Sequence, residues 1–111
     1  MAAAARELRA AGAQAVVASL GAQGLLAATE DGSWQAIPPA AVAGNATGAG
    51  DAVAAGLAYG LVLGRPWDER LRHAVALGTA TAAAPVAGEF SPAGYSSVLD
   101  AVTVHRDEAR E

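Results

Sequence analysis

Two stretches in the second half of the chain, AVAAGLAYGLVLG (Ala52–Gly64) and HAVALGTATAAAPVAG (His73–Gly88), are built almost wholly from small uncharged residues. Alanine and glycine bury little side-chain area. Elements made of them must therefore pack by bringing their backbones close together. Much of the apolar content of the whole chain is alanine, and aromatic residues make up only 5% of it. At 53% hydrophobic and 16% charged over 111 residues, the composition is that of one globular domain with a thin core rather than a disordered chain. Both stretches fall short of the roughly 20 residues a membrane span requires, and Gly64, Pro85 and Gly88 interrupt them.

Residues 2–11 are good helix formers, and Gly12 supplies a stop. AVVASL (Ala15–Leu20) is short, apolar and partly β-branched, as a buried strand requires. Gly21 to Gly24 make a turn, LLAAT (Leu25–Thr29) is a second strand, and Asp31-Gly32 signals a hairpin into a third, Ser33–Ile37, which Pro38-Pro39 ends. Val53, Leu57 and Leu61 recur at helical spacing, and Gly64 closes that helix. Arg65-Pro66 starts the next, with Asp68 and Glu69 in its first turn and an inner face of Leu71, Val75, Gly78 and Ala82. A short helix over Ala93–Ala101, a closing strand VTVH (Val102–His105) and a solvated tail RDEARE complete the chain. The order predicts an α/β layered fold, with part of a sheet packed on helices and no internal boundary.

The net charge of −4 and the lack of a basic cluster argue against nucleic acid or an acidic membrane surface as partner. The absence of cysteine excludes a disulfide framework and a thiolate metal site, and fits a reducing cytoplasm. MAAAARELRA has no apolar core and is not a signal peptide.

The most informative segment is TGAGD, Thr47–Asp51. Two glycines separated only by alanine let the backbone bend sharply and approach a ligand. The first N–H groups of the helix that follows lack internal partners and sit at its positive dipole end, which suits a phosphate. A P-loop would need a lysine after its second glycine, and a dinucleotide turn a third glycine where Val53 stands. A carboxylate beside a phosphate is repelled by it. Asp51 there makes sense as a proton acceptor for an attacking hydroxyl, with a metal ion offsetting the repulsion. A purely structural role is also open: Thr47 as an N-cap and Asp51 as a first-turn acid. SLGAQG (Ser19–Gly24) taken alone reads as a simple strand-to-strand turn rather than a binding segment. His73 and His105 are the only histidines; His73 reads as a surface or packing residue, Trp34 and Trp67 as packing anchors, and Tyr59 lies off the apolar stripe.

NATGAGDAVAAGLAYGL resembles the second signature of the PfkB/ribokinase family of carbohydrate kinases, whose core reads roughly D-T-x-G-A-G-D. VVASLGAQGLLAATEDGSW is similar to the strand, turn and hairpin upstream of that signature, and AVALGTATAAA to the helix lining the nucleotide pocket. Asn45 in place of the usual acid is most like the 1-phosphofructokinase and tagatose-6-phosphate kinase branch. The resemblance implies a ribokinase-like three-layer αβα (Rossmann-like) fold, of which residues 1–111 form the C-terminal, ATP-binding part. It implies ATP-dependent phosphoryl transfer to a sugar or sugar phosphate, assisted by Mg²⁺, in the cytoplasm. Asp51 is then the base, and the amides of Gly48, Ala49 and Gly50 are the anion hole. Ser19, Gly21, Ala22, Gly24 and Thr47 bind the nucleotide. The family's sugar-binding residues, β lid and N-x-x-E motif are not found here, since the only Asn is Asn45 and Gly48 stands three residues after it. A truncated gene product, a misplaced start or half of a split gene would each produce this pattern. The expected protein partners are a second copy or a complementing N-terminal part, and the isolated chain is expected to have little or no kinase activity. Two alternatives remain: an inactive nucleotide-binding fragment, and a related kinase acting on a nucleoside or vitamin.

Overall fold

The computed structural model describes residues 2–39, 48–84 and 89–107. Helix α1 (Ala2–Ala10) leads into strands β1 (Val16–Ser19), β2 (Leu25–Thr29) and β3 (Gly32–Ile37). Helices α2 (Ala49–Val62), α3 (Trp67–Ala83) and α4 (Pro92–Ala101) follow, and β4 (Thr103–Asp107) closes the chain. The four strands form one antiparallel sheet in the order β1-β2-β3-β4. This is the α/β layering expected from the sequence.

The β2–β3 hairpin follows from local chemistry. Glu30 and Asp31 form its two-residue loop, and Thr29 pairs with Gly32. The Thr29 hydroxyl is buried, donates to the Gly32 carbonyl at 3.0 Å and accepts from the Asp31 amide at 3.1 Å. The Arg9 guanidinium donates to the Thr29 carbonyl at 2.9 Å and ties α1 to the same turn.

Alternation along β2 sends Leu25 and Ala27 to one face and Ala28 to the other. Leu25 and Ala27 join Ala36, Leu71, Ala74 and Val75 in the main core under α3. Ala28 is buried outside that cluster, as is Ala5 of α1, and α1 packs on β1 and β2. Helices thus cover both faces of the sheet.

The seam between α2 and α3 depends on missing side chains. A Cβ on Gly56 would lie 3.0 Å from the Ala74 Cα, and one on Gly78 would lie 2.6 Å from Val53 Cγ2. A Cβ on Gly60 would meet the Arg70 stem at 2.6 Å. Arg70 uses that space to lay its guanidinium 4.4 Å from the centre of the Trp67 ring and to donate to the Arg65 carbonyl at 2.7 Å. The expected stripe Val53–Leu57–Leu61 is therefore only partly the buried one. Val53 and Leu57 pack on the core, but Leu61 is 65% exposed. The helix turns Gly56 and Gly60 to its neighbour because only glycine permits so close an approach.

Helix ends follow their sequence signals. The Gly64 amide donates to Leu61 and the Arg65 amide to Gly60, with Gly64 at φ 70°: a Schellman closure of α2. Ser91 Oγ accepts from the Gly94 amide at 2.8 Å and caps α4, with Pro92 next. Pro85 and Gly88, the expected stop for α3, lie outside the described residues, as does the tail beyond Asp107. β4 starts one residue later than its VTVH signal and runs further, because Ser33 and Trp34 of β3 offer partners to Asp107 and Arg106. Arg106 is consequently not a free tail residue; it lies 4.6 Å over the Trp34 ring and donates to the Asp31 carbonyl. No described helix is long and apolar enough to cross a membrane.

The turn after β1 carries the tightest constraint in the sheet. The Leu20 amide donates to the Gly24 carbonyl at 2.7 Å across a single 3₁₀ turn, Gly21–Gln23. Gly24 sits at φ 84°, ψ −134°, and a Cβ there would lie 1.8 Å from the Ala36 carbonyl oxygen. Gly24→Ala should destabilise the protein by about 2–4 kcal/mol, read as a lower urea midpoint. A midpoint unchanged from wild type would contradict this geometry.

His73 of α3 contacts the Tyr95 hydroxyl of α4 through Nδ1, and its Nε2 lies 3.7 Å from Glu69. Burial holds its pKa below 6.5, with Arg65 and Arg72 adding to the effect and Glu69 opposing it. The unfolded chain then binds the proton more readily than the folded one. The neutral ring's contribution to stability should be fully present above pH 6.5 and lost as pH falls below it. Denaturation midpoints measured across that range in wild type and His73→Gln should converge toward acid pH. Parallel profiles would count against the assignment.

Candidate active-site cleft

A cleft of about 480 Å³ opens where β1 ends and α2 begins. Ser19, Gly21, Ala22 and Gly24 form one wall, all from the SLGAQG segment. Ala49, Gly50 and Val53 from the first turns of α2 form the other. Val75, Gly78, Thr79 and Ala82 of α3 lie along the base with Leu25, and Pro38 completes the lining. Two sequence segments that were separately ambiguous as structural turns thus face each other across one space. Its volume falls within the range of about 300–1,000 Å³ typical of small-ligand sites.

Gly48 precedes α2 in the left-handed conformation, φ 88°, ψ −8°, which lets the chain enter the helix sharply. Its carbonyl accepts the first helical bond, from the Ala52 amide at 2.9 Å. The amides of Ala49, Gly50 and Asp51 therefore have no acceptor within the helix, and they lie at its positive dipole end. Asp51 is exposed in that first turn. Gly48 and Asp51 flank the cleft without contributing to its lining, and Thr47 lies outside the described residues.

The lining is mostly apolar and contains no Lys or Arg among the described residues. An anion held here would rely on backbone amides and the helix dipole. The apolar walls of Leu25, Val53, Val75 and Pro38 suit a flat heterocycle. A Cβ built on Gly21 or Gly50 meets nothing within 4 Å, so both glycines leave open space at the cleft. The lining thus combines unpaired helix N-terminal amides on one side with an apolar wall on the other. Among the described residues no cluster of His, Cys, Asp or Glu is poised to hold a metal alone. Mg²⁺ commonly takes most of its ligands from phosphates and water, with one or two carboxylates, and Asp51 is the carboxylate at this end of the cleft.

The inner face expected of α3, Leu71, Val75, Gly78 and Ala82, divides in the structure. Leu71 is fully buried in the core, and Val75, Gly78 and Ala82 reach the cleft. Sequence reasoning from the residues alone missed Leu25, Pro38 and Thr79, and read Val53, Val75, Gly78 and Ala82 only as packing positions. Only the resemblance of AVALGTATAAA to a pocket-lining helix pointed toward Val75, Gly78, Thr79 and Ala82 as lining.

The sequence profile of the pfkB family carbohydrate kinases matches residues 1–93. The 1-phosphofructokinase of Escherichia coli K12 is 42% identical over 83 residues, which are 75% of this chain and 25% of that protein. The structure superposes on phosphofructokinase-2 from Escherichia coli in complex with potassium with a TM-score of 0.82, at 28% identity over 89% of this chain and 32% of that one. The same enzyme in complex with substrates and products gives a TM-score of 0.81 at the same identity and coverage. The chain spans about a quarter to a third of the length of these relatives. With the family profile covering most of its residues, a ribokinase-like fold and the glycine-flanked cleft, the chain belongs to the pfkB family of carbohydrate kinases.

Proposed function

We propose that residues 1–111 are the ATP-binding, C-terminal part of a kinase that phosphorylates an alcohol group of a sugar phosphate. One observation carries this reading: the SLGAQG turn and the N-terminus of α2 line a single cleft. The similarity to phosphofructokinases favours a hexose phosphate over a nucleoside or vitamin as acceptor.

ATP, when bound, supplies the phosphoryl group. Ser19, Gly21, Ala22 and Gly24 pass close to the nucleotide, and Thr47, outside the described residues, is assigned to it from the family resemblance. Asp51 accepts the proton from the acceptor hydroxyl as its oxygen bonds to phosphorus and the bond to the ADP oxygen breaks. The amides of Gly48, Ala49 and Gly50 hold the negative charge that spreads over the transferring group. Asp51 is the carboxylate that would face a bound Mg²⁺, whose charge would offset the repulsion between Asp51 and that group. The exposure of Asp51 leaves it open to an incoming alcohol.

Two substitutions separate binding from chemistry. Gly50→Val adds bulk into the cleft, and an added Cβ there meets no neighbouring element within 4 Å, so the fold should persist while calorimetric titration with Mg-ATP loses about tenfold or more in affinity. Wild-type affinity in that variant would remove the cleft as the nucleotide site. Asp51→Asn should leave binding intact and lower turnover by about 10²–10⁴-fold. The readout is coupled ATP consumption over a panel of hexose phosphates, with the sugar-binding part supplied. Turnover within a few-fold of wild type would rule Asp51 out as the base.

A further inference from the structure

The turn between β1 and β2 is closed from within by its own backbone. The Leu20 amide donates to the Gly24 carbonyl, the Gln23 amide to Leu20 and the Gly24 amide to Gly21. These bonds use the carbonyls of Leu20, Gly21 and Gly24. The Gln23 carbonyl is held from outside the turn: it accepts from Nε2 of Gln35, on β3, at 3.2 Å. Gly21, Ala22 and Gly24 line the cleft, whereas Gln23 is exposed and is not one of the lining residues. The turn thus gives three residues to the cleft and is tied through the fourth to a strand that gives none.

Strand β3 meets this turn in two ways, and they act in opposite senses. At Gly24 the contact is repulsive: the backbone already runs so near the Ala36 carbonyl that a Cβ has no room. That limits how close the turn can come, but it does not hold it there. The Gln35 bond is the attractive partner of that contact. Gln35 is well placed to act as a fixed post, because β3 is an interior strand and the residue is paired with Leu26 on one side and His105 on the other. Its backbone is therefore set by both neighbours, and only its side chain reaches the turn.

We propose that Gln35 is a positioning residue for the nucleotide wall of the cleft, holding the Gly21–Gly24 turn in its binding conformation before the ligand arrives. The inference rests on the nucleotide reading of the cleft given above. A turn that is already in place binds without the entropic cost of being ordered, so removing the tie weakens binding although Gln35 never touches the ligand. The bond is exposed and competes with water, so its loss should lower affinity by only about three- to tenfold.

The test uses the full 111-residue chain and two substitutions. Gln35→Met keeps the length of the side chain and removes the donor; Gln35→Lys supplies a donor again. Each protein is titrated with Mg-ATP by calorimetry, unfolded in urea, and followed by amide exchange at Gln23 and Gly24 without ligand. Gln35→Met should bind Mg-ATP about three- to tenfold more weakly and exchange faster at both amides, with its urea midpoint unchanged. Gln35→Lys should return the affinity to within about twofold of wild type. A residue that merely stabilised the fold would lower the urea midpoint and leave the affinity where it was, and that pattern would overturn the proposal. So would a loss of affinity that Gln35→Lys does not restore. Gly50→Val, measured alongside, separates the two readings. If it binds as wild type does, or if wild type binds no Mg-ATP, the nucleotide reading falls and the role of Gln35 falls with it. If Gly50→Val loses affinity while Gln35→Met keeps it, the role of Gln35 falls alone.

Discussion

The close approach of α2 to α3 is the contact from which the rest of the arrangement follows. Gly56, Gly60 and Gly78 remove the side chains that would otherwise hold the helices apart. The space they release is filled by Ala74, the Arg70 stem and Val53. Dispersion forces fall steeply with distance, so a seam of small residues stabilises only when its backbones nearly touch. α3 in turn lies on β2, β3 and β4 and carries Leu71 into the core. The position of α2, and hence of its N-terminal amides beside the β1 turn, is fixed through that chain of contacts.

This explains which parts of the fold were legible in the sequence. Strands β2 and β3 were readable because Leu25–Thr29 is apolar and β-compatible and Asp31-Gly32 marks the reversal. The end of α2 was readable from Gly64 and the start of α3 from Pro66. The buried face of α2 was not. Hydrophobic periodicity selected Leu61, whereas packing selected Gly60, because periodicity weighs side-chain size and this seam rewards its absence. Arg106 joins β4 rather than the tail and lies over the Trp34 ring, yet it stays exposed as a solvated residue should.

The cleft was legible only in part, and the boundary is physical. TGAGD and SLGAQG announce backbone bends, and bends are a local property. That they share one space is a matter of topology, which no local pattern encodes. The residues that complete the base of the cleft, Leu25, Val75 and Thr79, are ordinary core-forming types whose second duty appears only when the helix is laid against the sheet. Thr47 lies outside the described residues, and its part in the turn rests on the family resemblance alone.

Val53 and Gly78 belong at once to the helix seam and to the wall of the cleft. Any substitution that thickens the seam must therefore narrow, tilt or widen the opening as well. Evolution cannot tune cohesion here independently of ligand fit, and drift at these two positions has to be concerted. A lineage that exchanged Gly78 for a bulkier residue would need a compensating reduction at Val53 before the opening regained its shape.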